Sequence, residues 1–148
     1  MTESHPPKSK ALKPFWIILV ALGVVIITSL LTHLLQAKER IPWRSDLAAA
    51  TVEAQKQNKP LFLYFTASWC EPCQRLKTTT WADPDVESAL AEYVPVKIDI
   101  DEHPEIAKKY PSDGIPHFVV LQQDGSVLKD SVGAVPSGEF IAWLTSKK

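Results

Sequence analysis

Two cysteines, Cys70 and Cys73, are the only ones in this 148-residue chain, and they stand three positions apart with Glu71 and Pro72 between them. That spacing brings two thiols together at the first turn of a helix. There the unpaired backbone N–H groups and the helix dipole stabilise a thiolate at the first sulfur. The second sulfur, one turn further in and less exposed, can attack a mixed disulfide formed by the first. Cys70 is therefore expected to be the nucleophile and Cys73 the resolving thiol. Trp69 supplies an apolar wall, and Pro72 stiffens the loop at a position where no N–H is needed. Two cysteines this close are too few to staple a disulfide scaffold.

A second signal stands more than forty residues away. Gly114-Ile115-Pro116 immediately precedes a strand-like run from His117 to Gln122, where a proline cannot donate to a sheet. A cis Ile115–Pro116 bond accounts for it, at a cost of about 0.5–1 kcal/mol over trans, against about 2.5–4 kcal/mol for other residues. The turn is expected to lie beside the thiols and to leave the Ile115 backbone free to pair with an extended substrate segment. Trp69, Pro72, Ile115 and Pro116 are thus the expected substrate-binding positions.

Positioning these residues requires a particular set of elements. Ser45 reads as an N-cap for a helix reaching about Asn58, and Lys59-Pro60 breaks it. Leu61–Thr66 (LFLYFT) is a short continuous apolar run, the mark of a strand buried on both faces. Helices follow from the cysteine motif to about Thr80 and from Asp83-Pro84 to Glu92. Val94–Ile100 is a second strand, and His103-Pro104 opens a short helix ending near Tyr110. Strands at Phe118–Gln122 and Val127–Val132 flank the turn Asp124-Gly125, and Ser137–Ser146 is a closing helix. The order α-β-α-α-β-α-β-β-α predicts an α/β fold with a mixed central sheet flanked by helices. Trp43, Trp81 and Trp143 read as packing residues.

With motif and order in place, the sequence from about residue 43 to 148 resembles the thioredoxin family. The matching segments are W-C-x-x-C at Trp69–Cys73, K-x-D-x-D at Lys97–Asp101, G-I-P at Gly114–Pro116 and V-G-A at Val132–Ala134. Within that family, NKPLFLYFTASWCEPC and TTTWADPDVESALAEY are most similar to the C-terminal domain of DsbD-type thiol:disulfide interchange proteins. The resemblance implies the thioredoxin fold and a protein-disulfide oxidoreductase. It needs no metal or organic cofactor, only the redox-active Cys70–Cys73 disulfide. Two positions depart from the family. Tyr64 stands where a buried acid is usual, and Lys77 where DsbD-type domains carry an acid. That leaves Lys97 without its usual carboxylate partner and Cys73 without an evident proton acceptor.

Glu71, Lys97, Tyr64 and His117 are the candidate modulators. Lys97 would favour the Cys70 thiolate and Glu71 would oppose it. Tyr64 reads as a core residue, and His117 as a surface or strand-end residue able to touch substrate. Two competing functions stay open at this point. One is a metal-binding or delivery module using Cys70, Cys73 and His117, although a structural zinc takes four ligands and no second pair exists. The other is a redox-silent adaptor that keeps the fold to grip partners.

Residues 15–35 (FWIILVALGVVIITSLLTHLL) carry no Asp, Glu, Lys or Arg. As a helix of about 1.5 Å rise per residue they reach roughly 30 Å, the thickness of a bilayer core. A cleaved signal peptide is the competing reading. The run exceeds the usual h-region of about 7–15 residues, and Leu35 makes a poor cleavage context before Ala37. The expected organisation is a cytoplasmic tail (1–14), a transmembrane anchor (15–35), a linker (36–42) and an extracytoplasmic domain (43–148), periplasmic in a Gram-negative cell. Lys8, Lys10 and Lys13 on one side balance Lys38, Arg40 and Arg44 on the other. The α-amino group and the short polar tail then favour N-terminus-inside. The formal charge of −1 over the whole chain does not suggest a nucleic-acid surface, and no nucleic-acid partner is expected. Protein thiols and disulfides, with a membrane electron donor, are the expected partners.

Overall fold

Leu61–Thr66 forms a strand, β1, whose six residues are all buried. It sits at the centre of the second of two units in a computed structural model that describes residues 13–35 and 38–146. The tail through residue 12, residues 36–37 of the expected linker and residues 147–148 lie outside the described residues.

The described part of the first unit is one helix, α1 (Lys13–Leu35), long and apolar enough to cross a membrane. Its hydroxyls turn inward on the backbone. Thr28 Oγ1 donates to the Val24 carbonyl at 2.9 Å and Thr32 Oγ1 to that of Ser29 at 2.8 Å.

In the second unit, α2 (Leu47–Gln57) precedes β1, and then come α3 (Glu71–Thr78), a 3₁₀ turn (Thr80–Ala82) and α4 (Pro84–Leu90). β2 (Val94–Asp99), α5 (Pro104–Ala107), β3 (His117–Leu121), β4 (Val127–Val132) and α6 (Ser137–Thr145) complete it. The sheet order is β2-β1-β3-β4, with β1 parallel to β2 and the other pairs antiparallel. This is the mixed, helix-covered sheet the sequence predicts. The hairpin turn places Gly125 at φ 83°, a conformation that suits a residue without Cβ.

Most boundaries fall within two residues of expectation, and three differences bear on the packing. Asp46, not Ser45, caps α2, because its carboxylate reaches the Ala49 N–H at 3.0 Å. The helix after His103 ends at Ala107 rather than near Tyr110. The packed unit also begins before residue 43. Ile41 is buried in the core, and the Arg40 N–H donates to the Trp81 carbonyl at 2.7 Å. Arg44 then forms a one-residue parallel bridge to Val96 along the outer edge of β2. Its guanidinium holds the Glu53 carboxylate at 2.6 and 3.1 Å.

The strand alternation splits the core. One face of the sheet packs Leu63, Phe65, Val96, Ile98 and Val119 with Ala50 and Ala54 of α2. The other packs Phe62, Tyr64 and Phe118 against Trp81, Phe140 and Leu144. Trp81 is the hub of this second face. Its ring centroid lies 5.1 Å from those of Tyr64 and Phe140 and 5.8 Å from that of Phe118. Trp81→Ala is expected to cost about 3–5 kcal/mol, a large part of the roughly 5–15 kcal/mol that stabilises such a domain. Urea unfolding measures it, and a loss below about 1 kcal/mol would show that Trp81 is not the hub.

Candidate active site

The motif sits where β1 hands over to α3. The chain leaves the sheet at Thr66, turns with the Cys70 N–H donating to the Ala67 carbonyl at 3.2 Å, and starts the helix at Glu71. Cys70 is the N-cap residue, and its Sγ accepts the Cys73 N–H at 3.2 Å. A helix-start N–H thus points at the first sulfur, the arrangement that favours a thiolate once the pair is reduced. Pro72 occupies the first turn, where its missing N–H leaves no carbonyl unpaired. The two sulfurs are joined as a disulfide. Cys73 is wholly buried, and Cys70, expected to be exposed, is itself only 3% exposed. The reason is the turn before β3, whose Ile115 carbonyl oxygen lies 3.7 Å from Cys70 Sγ.

The Ile115–Pro116 bond is cis, and the Pro116 carbonyl accepts the Gly133 N–H at 2.8 Å. The pairing of β3 with β1 starts only at His117, opposite Phe65, so Ile115 stands outside the ladder and against the disulfide. Beside it opens a cleft of about 590 Å³, lined mainly by Phe65, Trp69, Ile100, Tyr110, Ile115 and His117. Trp69 stands 65% exposed at its rim, and its Nε1 donates to Asp101 Oδ2 at 2.8 Å. The structure therefore brings Trp69, Cys70, Cys73, Ile115 and Pro116 together.

The modulators divide. Glu71 points outward to Arg75 at 2.7 Å, away from the sulfurs. Lys97 lacks the usual partner, since Tyr64 stands in its place, but it has another carboxylate: both oxygens of Glu39 lie 3.4 Å from its Nζ. Tyr64 is fully buried and its hydroxyl donates to the Cys73 carbonyl at 3.4 Å. Burial pushes its phenol up, and the charge of Glu39 adds to that push. His117, read as a surface or strand-end residue, stands at the strand end but is 2% exposed, because the first residue of β3 faces inward onto Phe65. Its Nε2 is turned to Asp130 Oδ2 at 3.3 Å. Among the described residues no three His, Cys, Asp or Glu side chains converge as a metal site. Sequence reasoning missed Glu39, Asp101 and Asp130. Glu39 lay in a segment read as linker, and the other two face their partners only after folding.

The sequence matches the family described as Thioredoxin-like over residues 42–123. The chain belongs to that family. Among its relatives is a thioredoxin of Rhodospirillum rubrum, 34% identical over 60% of this chain and 83% of that protein. Another is the thiol:disulfide interchange protein DsbD of Neisseria meningitidis, 33% identical over 69% of this chain but only 18% of that much longer protein. Among solved structures, the oxidised C-terminal domain of Neisseria meningitidis DsbD superposes with a TM-score of 0.61. It is 27% identical and covers 72% of this chain and 99% of that domain. The second unit is thus a thioredoxin fold, and the protein is a thioredoxin-like oxidoreductase with a Cys-x-x-Cys pair at disulfide distance.

Proposed function

We propose that this protein is a membrane-anchored thiol:disulfide oxidoreductase that reduces disulfides in extracytoplasmic proteins. In the reduced protein the Cys70 thiolate attacks one sulfur of a substrate disulfide. The substrate S–S bond breaks, a mixed disulfide forms, and the leaving sulfur departs as a thiolate that takes a proton. Cys73 then loses its proton and attacks Cys70 Sγ, which breaks the mixed disulfide, releases the second substrate thiol and closes the Cys70–Cys73 disulfide. Two electrons pass from the protein to the substrate in each cycle. A dithiol donor at the membrane must return them. The cleft beside Trp69 and the free backbone at Ile115 are suited to an extended substrate segment.

The observation that carries this reading is the cap geometry. Cys70 Sγ receives a helix-start N–H and touches the turn at Ile115, whereas Cys73 lies behind it with no exposed surface. The anchoring half rests on α1, whose apolar side chains have no core of their own to enter.

The test is insulin-disulfide reduction by the detergent-solubilised full chain, together with the potential of the Cys70/Cys73 couple measured against glutathione. Turnover is expected, with a potential more reducing than the glutathione pool. A potential well on the oxidising side would turn the reading into oxidation or isomerisation. No thiol exchange at all would leave the adaptor reading.

A further inference from the structure

Cys73 has no exposed surface, so how readily its thiol ionises depends on the charges and dipoles the protein places around it. On the sheet face that meets α3, Tyr64 of β1 and Lys97 of β2 are register partners and project from the same side. The Tyr64 hydroxyl reaches the Cys73 carbonyl, and the Tyr64 ring packs on Trp43 with centroids 5.3 Å apart. Glu39 closes this group from outside the regular elements. Its carboxylate accepts from Trp43 Nε1 and lies 3.4 Å from Lys97 Nζ through both oxygens. Both side chains of the ion pair are about a quarter exposed, so the pair is screened only in part.

We propose that Glu39 is a positioning residue of the redox pair: by neutralising Lys97 beside Tyr64, it restrains the thiols from ionising as early as an unopposed cation would make them. The segment leading into the fold then belongs to the site, although it precedes the first helix of the domain. This rests on the redox reading above. Other ionisable groups surround the pair. Asp99, Glu102 and His103 line a cleft of about 280 Å³ with Lys97, and Arg44 on the same wall is held by Glu53. Nearer the sulfurs stand Tyr64 and Glu71, the latter bonded to Arg75. Glu39 is the carboxylate that bonds Lys97 directly.

The test is stopped-flow mixing of the reduced full chain with the chromogenic disulfide DTNB across pH. Cys70 thiolate breaks the probe's S–S bond, forms a mixed disulfide and releases one nitrothiobenzoate. Cys73 thiolate then attacks Cys70 Sγ, its proton passing to solvent, and displaces the second. Glu39→Gln keeps an acceptor for Trp43 and changes only the charge. It is expected to move the second release to lower pH by about half a unit, about threefold faster on the acid limb. Lys97→Met is expected to move it upward by a similar amount, and the double variant back toward the parent. A merely structural role would move both single variants the same way. Shifts of equal sign, or an unshifted Glu39→Gln profile, would overturn the proposal while the parent protein still reduces insulin. Should Lys97→Met not fold, the direction of the Glu39→Gln shift decides alone. Absence of any second release from the parent would defeat the redox reading itself, and this one with it.

Discussion

Cys73→Ala is expected to leave the protein covalently attached to its substrates, and Cys70→Ala to leave it attached to none. Without Cys73 the mixed disulfide at Cys70 has no internal thiol to resolve it, so turnover stops after one bond exchange. Without Cys70, the remaining sulfur lies on the buried face of α3 and meets no substrate. Both variants lose insulin reduction, and only the first accumulates adducts on non-reducing gels after acid quenching. Equal trapping by the two, or trapping by Cys70→Ala alone, would reverse the roles assigned to the sulfurs. Each change deletes one buried sulfur atom and leaves only a small void.

The second large effect concerns α1. The intact protein is expected to stay with the membrane through an alkaline carbonate wash. Val24→Asp together with Val25→Asp is expected to release it, since each charge at the centre of a span costs about 2.5–3.5 kcal/mol. On intact spheroplasts a membrane-impermeant thiol reagent should label reduced Cys70 in the parent protein. Labelling only after lysis would place the domain on the cytoplasmic side. A mature protein that lacks residues 15–35 would make the helix a signal peptide instead.

What the sequence revealed, and what it concealed, follows from the range of the interactions involved. β1 was readable to the residue, because an apolar run between Lys59-Pro60 and the Ala67 turn is a local pattern that only a doubly covered strand satisfies. The start of α4 was equally plain. Pro84 sits at its first position, and Asp83 caps it by accepting the Asp85 N–H at 2.9 Å. The cysteine motif and the Gly114-Ile115-Pro116 turn carried their own punctuation, and the structure sets them side by side. The side-chain pairs around the site had no such signature. Glu39 and Lys97 are 58 residues apart, and Trp69 and Asp101 are 32 apart. A carboxylate on a linker looks the same in sequence whether it faces water or a lysine. His117 illustrates the same limit. Its place at the head of β3 was legible, but the face it takes depends on pairing with Phe65 and Asp130.

The bridge made by Arg44 has a consequence for how copies of this domain meet. Its N–H donates to the Pro95 carbonyl and its carbonyl accepts from Lys97, both at 2.9 Å, so part of the outer backbone of β2 is already occupied. The other margin, β4, pairs only with β3 among the described residues, and Val127 and Val132 at its ends are nearly half exposed. A sheet with a blocked side and an open side has one direction of growth. Edge-to-edge pairing of two copies would therefore favour the β4 side, and a pair joined there would present its Arg44-covered margins outward.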